Sequence, residues 1–326
     1  MREQVFVKNR GKNARFGIRE MKAYKPGGNS LIIKGAFAGV AHGDLGRAYG
    51  KIPSPPGRAF LPGYDIAGEV VEVGKREGNF RIGNRVVALC GTGGWARFCE
   101  TDYSRAAKIP DGLDLRTAAA LGLNYLTAYQ MLFRRGNLKN GNWVLTYGAG
   151  GGLGSAVLDL CRCFQINAVG VVSKDKKELV ESYGALFLEN NLADGNAIAL
   201  ICPPGIDLVL DPFSDSRRKK SMELAKPGGG VIGYGFLEKK ADPFLFMTAG
   251  IAMKLRFPNK NYQFYSVEAP DNVAFLKEDY RKIFDLALNK QISPLVSGFY
   301  RLEDYESAVA AQNNRSRSGK VLLDLS

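Results

Sequence analysis

Residues 142–163, which read NWVLTYGAGGGLGSAVLDLCRC, constrain the possible folds of this chain more than any other stretch. An apolar run of strand length ends in a cluster of glycines. The cluster then opens a segment with apolar residues at helical spacing. The alternation continues downstream. NAVGVVS (167–173) is a strand and KDKKELVESYG is helical, while IDLVLDPF (206–213) and GGGVIGYG (228–235) are further strands with a helix between them. Strand–helix units at this spacing predict a parallel sheet wound on both sides.

Ala149-Gly150-Gly151-Gly152-Leu153-Gly154 stands after a strand and before a helix, the context a dinucleotide fingerprint requires. Gly151 and Gly152 lack side chains, so backbone can approach a pyrophosphate closely. Gly154 lets the helix pack tightly on the strand. The amides of residues 151–154, Leu153 included, then point at the anion from a helix N-terminus. The next strand ends on Ser173, and Lys174, Asp175, Lys176 and Lys177 follow. A small polar residue backed by cations favours the 2′-phosphate of NADPH, with Ser173, Lys174 and Lys177 as the contacts. Asp175 keeps NAD open.

The first third has a different character. LIIKGAFAGV (31–40), DIAGEVVEVG (65–74) and RIGNRVVAL (81–89) read as strands, and four prolines in residues 51–63 exclude a continuous helix. From residue 111 an amphipathic helix is expected, with Asp111 and Asp114 as candidate caps and Gly136 as a stop. The chain therefore reads as a β-rich domain with long loops followed by a doubly wound α/β domain, and the last segment, SGKVLLDLS, is expected to return to the first.

Composition narrows the class. With 326 residues, 45% hydrophobic and 24% charged, the chain can bury a sizeable core without metals or disulfides. No apolar run reaches membrane-spanning length, and MREQVFVKNRGKN has no apolar signal core, so a cytoplasmic protein with no membrane partner is expected. Five scattered cysteines fit reduced thiols. The net charge of +13 raises the question of nucleic acid, but the cations are spread along the chain without an RNA-binding or zinc-finger signature. Nucleic acid is therefore not expected as a partner. The densest cluster, Arg217, Arg218, Lys219 and Lys220, reads as solvated first turns of a surface helix.

GVAHGDLGRAYG (39–50), LPGYDIAGEVVEVG (61–74), IPDGLDLRTAAALGLNYLTAYQML (109–132), TYGAGGGLGSAV (146–157), LAKPGGGVIGYG (224–235) and SGKVLLDL (318–325) occur in an order that resembles the medium-chain dehydrogenase/reductase superfamily. Within it the chain is most similar to the quinone oxidoreductase branch, with its vesicle amine transport protein-like and enoyl reductase-like members. The resemblance implies a GroES-like catalytic domain from residues 1–122 and 269–326, and a Rossmann domain from 123–268.

The resemblance also carries residue roles. The positions that hold catalytic zinc in zinc-dependent relatives are Ala41, Tyr64 and Leu123 here, none of them a usual zinc donor. A zinc-free enzyme is expected. It would pass a hydride from NADPH to an electrophilic small molecule, a quinone or an α,β-unsaturated carbonyl, and would form a homodimer. Asn124 and Thr127 fall where the family lines the nicotinamide. Phe213, Tyr234, Gly235 and Phe236 follow strand C-termini, and Lys320 is a candidate for cofactor phosphate.

Two departures stand out. The family's VNxxD asparagine is Ala41, and its GxYP tyrosine is Ile52. His42, Tyr49 and Tyr64 are the candidate catalytic groups in their place, with His42 readable either as a proton donor or as a structural hydrogen-bonder. A carrier- or CoA-linked enoyl reductase, and a weakly catalytic cofactor-bound binding protein (for RNA, for example), are the alternatives.

Overall fold

A computed structural model describes residues 3–21, 25–52, 60–75, 79–213, 217–236 and 243–326. The chain forms two compact units, Met1–Leu126 with Glu268–Ser326, and Thr127–Val267. The expected boundary at 122/123 falls at a kink in the helix over 115–129, four residues before this division. Pro53 and the rest of 53–59, and residues 237–242, lie outside the described residues.

The first unit opens with a two-stranded antiparallel ribbon, β1 (Glu3–Lys8) and β2 (Arg15–Glu20). Next come β3 (Ser30–Val40), α1 (His42–Ala48), β4 (Asp65–Val73), β5 (Arg85–Leu89), β6 (Phe98–Asp102) and β7 (Ala106–Lys108). The third expected strand starts only at Arg85, because Gly83 turns the chain at φ +87°. Leu31, Ile32 and Ile33 of β3 are all fully buried, so this strand is covered on both faces. β3 pairs with β4 through two register shifts and with β6 in unbroken register. Trp95, Val5, Ile66, Val70, Val86 and Leu323 are among the residues filling the core.

After α2 (Leu115–Tyr129) the second unit alternates as expected. It comprises β8 (Trp143–Tyr147), α3 (Gly152–Cys163), β9 (Asn167–Val172), α4 (Lys177–Ser182), β10 (Leu186–Glu189), α5 (Gly195–Ile201), β11 (Ile206–Asp211), α6 (Arg218–Leu224), β12 (Ala225–Gly233), α7 (Pro243–Arg256) and β13 (Asn261–Phe264). All its strands are parallel, in the order β10-β9-β8-β11-β12-β13. Val144, Leu145, Thr146 and Tyr147 are consecutively buried, the pattern of a strand with helices on both faces. The chain reverses direction across the sheet between β8 and β11, and such a switch point opens a crevice at the strand C-termini.

The chain returns to the first unit with α8 (Pro270–Val273), α9 (Leu276–Leu288), β14 (Val296–Arg301), α10 (Tyr305–Asn313) and β15 (Lys320–Asp324). The larger sheet of that unit runs β14-β15-β3-β4-β5-β7, with β6 also on β3. Among the described residues no helix is long and apolar enough to cross a membrane.

Candidate functional site

In the second unit the glycine turn lies at the switch point. Gly148 takes φ +66°, and Gly151 caps α3 with extended backbone and no side chain to satisfy the first amides. A Cβ on Gly154 would stand 2.3 Å from the Gly148 carbonyl oxygen, so only glycine fits where helix meets strand. At Gly151 an added Cβ would meet only that same oxygen, at 3.4 Å. Gly154 is thus required for packing, and Gly151 keeps a surface bare. Lys176, absent from the expected contacts, crosses the turn with Cδ 2.6 Å from where a Gly150 Cβ would sit. Ser173 and Lys174 are exposed just beyond β9. The hydrogen bond from the Ser173 hydroxyl holds the Asp175 carboxyl below its ordinary range. Lys177 reaches Glu181 at 3.7 Å along α4.

The ends of β11 and β12 are braced by one buried carboxylate. Asp211 accepts from the Phe213 amide at 2.7 Å and the Ser221 hydroxyl at 2.8 Å, while its carbonyl accepts from the Tyr234 amide at 3.0 Å. Burial first, then the Asp211 charge, pushes the Tyr147 phenol up to about 12 and also raises Tyr234. Phe213 meets the Tyr147 ring edge-on at 5.7 Å and carries the Arg217 guanidinium 4.2 Å from its own centroid. Arg218 similarly lies over Tyr262, so half of the 217–220 cluster rests on aromatic rings while Lys219 and Lys220 are exposed as expected. Gly235 approaches the Pro212 carbonyl, and Phe236 stacks on Phe264. Thr127, at the start of this unit, is buried.

In the first unit, α1 organises the other candidates. Asp44, wholly buried, accepts from the Ala41 amide at 2.9 Å and the Gly63 amide at 2.7 Å. This pins the helix start to the loop that carries Tyr64. The Tyr64 ring lies against Gly43, where a Cβ would stand 2.7 Å away, and beneath Arg47 at 4.4 Å. Arg47 in turn donates to the Gly91 carbonyl and pairs with Glu268. Loss of water pushes the Tyr64 phenol well up. His42 keeps an exposed edge, yet loss of water around the ring, then Arg317 and Lys51, lower its imidazole to about 4. Its Nδ1 lies 2.6 Å from the Gln312 side-chain amide. Tyr49 packs against the core with its ring edge-on to Phe16, apart from the α1 N-terminus. Ile52 lies against Gly46, leaving apolar surface at the family's tyrosine position.

Lys320 is a correction to the sequence reading. Its ammonium is buried, donating to Asp65 at 2.5 Å and to the Ala119 carbonyl at 2.9 Å, so it is not available to a cofactor phosphate. The reason lies in α2, which breaks at Gly122 (φ −33°, ψ −109°). In an unbroken helix the Leu123 amide would donate to the Ala119 carbonyl, four residues back. Here Leu123 donates instead to Asp65 at 3.0 Å, and Lys320 takes up the freed carbonyl. The ion pair is wedged into one broken helical hydrogen bond. A Cβ on Gly122 would stand 2.5 Å from Asp65, so the glycine admits the wedge. Asn124 follows the kink, half-buried.

The three matched zinc positions cannot supply a donor set. Ala41 offers only its backbone, Tyr64 is packed under Arg47, and Leu123 is aliphatic. Sequence reasoning missed Asp44, Asp65, Lys176 and Asp211. Asp65 and Asp211 each stand at a strand terminus beside a glycine- or proline-containing turn, a detectable but weak signal.

Comparison with known proteins places this geometry. Residues 27–115 match the family described as alcohol dehydrogenase GroES-like domain, and residues 187–323 match the family described as zinc-binding dehydrogenase. The synaptic vesicle membrane protein VAT-1 homolog of Homo sapiens is 33% identical over 312 residues, covering 91% of this chain and 79% of that protein. The crystal structure of the human VAT-1 homolog-like protein superposes with a TM-score of 0.83 at 28% identity, covering 99% and 98% of the two chains. The structure of Escherichia coli quinone oxidoreductase complexed with NADPH gives 0.87 at 19% identity, covering 99% of each. A GroES-like unit joined to a Rossmann unit defines the class. The chain belongs to the medium-chain dehydrogenase/reductase superfamily, in its quinone oxidoreductase branch.

Proposed function

We propose that this chain is an NADPH-dependent reductase that passes a hydride, without zinc, to a quinone or an α,β-unsaturated carbonyl. The observation that carries the reading is the bare glycine turn at the switch point, closed by packing at Gly154 and left open at Gly151. The E. coli relative whose structure is described as complexed with NADPH supports the choice of cofactor. When bound, NADPH supplies the hydride from its nicotinamide.

The residues fit that group. The amides of Gly152, Leu153 and Gly154 would hold the diphosphate at the N-terminus of α3, with Lys176 across the turn. Ser173, Lys174 and Lys177 would take the 2′-phosphate. Phe213, Tyr234, Gly235 and Phe236 would shape the strand-end crevice, and Asn124 and Thr127 the nicotinamide side. A conjugated acceptor suits these residues, since none of them offers a Lewis acid for an isolated ketone. The lowered His42 imidazole and the raised Tyr64 phenol would be weak proton donors near neutral pH, so solvent is the proton source this reading favours.

A homodimer through β13, the last strand of its sheet among the described residues, belongs to the same reading. Ile251 and Leu255, one turn apart on the neighbouring α7, are 69% and 80% exposed, an apolar face that a second copy would cover.

Steady-state NADPH oxidation with a benzoquinone, a cyclohexenone and an enoyl thioester tests the proposal. Turnover with either free acceptor is expected. Turnover with the thioester alone would move the substrate class to carrier- or CoA-linked chains. Cofactor binding without turnover on any acceptor would overturn the reductase reading.

A further inference from the structure

Two stretches far apart in sequence enclose one cavity of the first unit. Ser104 and Arg105 belong to the turn Tyr103–Arg105, between β6 and β7. Asp102 accepts from the Ser104 amide at 2.8 Å, and the Tyr103 hydroxyl donates to the Gly28 carbonyl at 3.0 Å, so the turn is fixed in place. Glu268 and Lys277 come from the segment that runs through α8 into α9. Tyr280, Ile283 and Phe284 are buried and anchor α9, which packs against the turn. The two stretches line a cavity of about 480 Å³, a size that takes a small ligand. Neither Arg47 nor Tyr64 lines it.

The charge of the lining is one-sided. Arg105 and Lys277 meet there with Ser104, and Glu268 is the one acid among the described lining residues. Glu268 is already paired with Arg47 through Oε2, while its Oε1 stands 3.8 Å from Arg105, too far for a hydrogen bond. The Ser104 hydroxyl, the Arg105 guanidinium and the Lys277 ammonium donate no hydrogen bond to any described residue. Water satisfies Ser104 and Lys277, which are exposed. Arg105 differs, because its side chain is only 31% exposed and a guanidinium carries five N–H donors. Leaving those donors without an acceptor in a part-buried site is unfavourable. Lys277 lies 5.2 Å from the Phe80 ring centroid, which seats the ammonium over apolar surface. Pro270, Val273 and Ala274 complete the wall. A planar oxyanion matches the guanidinium fork, and an apolar body matches the wall.

We propose that this cavity binds a small organic acid. Arg105, Lys277 and Ser104 would hold its carboxylate or phosphate, and its apolar body would lie against Pro270, Val273 and Ala274. The site lies within the first unit, and its occupancy does not depend on the reductase reading.

Isothermal titration of the whole protein, without NADPH, with benzoate and with phenyl phosphate tests it. Saturable binding of at least one is expected, and the tighter of the two names the oxyanion. Benzyl alcohol, which keeps the ring and lacks the charge, should not bind. Arg105→Gln should weaken binding about 10-fold or more. Lys277→Gln should weaken it about 3-fold, and as a surface change it carries the test if circular dichroism finds Arg105→Gln unfolded. Glu268→Gln should tighten binding, because it removes a like charge from the lining. Lys176→Ala, at the glycine turn of the second unit, should bind both acids as the parent does. No binding of either acid up to about 10 mM would overturn the proposal. So would affinity unchanged in the folded Arg105→Gln and Lys277→Gln proteins, or a loss confined to Lys176→Ala.

Discussion

Asp44 sits out of water between two backbone amides, and burial, its largest influence, lifts its carboxyl from 3.8 to about 7. The two amide bonds oppose that lift without cancelling it. A carboxyl whose pKa is higher folded than unfolded stabilises most below its unfolded value, and the benefit is lost as pH rises through the folded one. Stability should therefore fall by up to about 1.4 kcal/mol per pH unit between about pH 4 and pH 7 from this group alone. Urea unfolding of the parent and of Asp44→Asn across that window checks it, and the variant should lack this component. Lys320 makes the complementary case. Lys320→Met strands the Asp65 carboxylate and the Ala119 carbonyl, and should lower stability by about 3–5 kcal/mol. Asp65→Asn added to it should recover part of the loss, because the buried charge goes too. Thermal unfolding of the single and double variants reads both.

At the scale of elements, the turn between β8 and α3 separates two kinds of glycine. Gly154→Ala would drive a methyl into the Gly148 carbonyl, so a loss of about 1–3 kcal/mol and weakened NADPH binding should appear together. Gly151→Ala meets no such obstacle and should unfold like the parent, while on the proposed reading NADPH affinity falls about 10-fold or more because the methyl would stand where the diphosphate approaches. Chemical denaturation and a fluorescence titration on the same two proteins distinguish packing from binding. This turn was legible from residues alone, since strand, glycines and helix are contiguous. The break in α2 was not. Gly122 is one glycine in an apolar helix, and the partners that fill its broken hydrogen bond come from positions 65 and 320. Lys320 was misread for that reason: its place near the C-terminus suggested a cofactor phosphate, and only the fold shows that its partner is Asp65.

At the scale of the whole molecule, the order of motifs gave the architecture, including the return of the C-terminal strands to the first sheet. It did not show where charge collects. The pairing of β1 with β2, which has no motif of its own, decides which cations share a face. Nor did it show the apolar stripe on α7, which becomes visible only when burial singles out Ile251 and Leu255. If that stripe covers a second copy, Leu255→Glu should shift the protein from dimer to monomer in light scattering behind size exclusion, with NADPH binding retained. A parent that runs as a monomer would remove the edge of β13 as an interface.

Calorimetric titration of the pure protein with NADPH bears most directly on the central claim. The expected result is one saturable site per chain, tighter for NADPH than for NADH and weakened by Lys176→Ala. A flat titration, or equal affinity for the two nucleotides, would contradict the account of the turn and of the cations behind it.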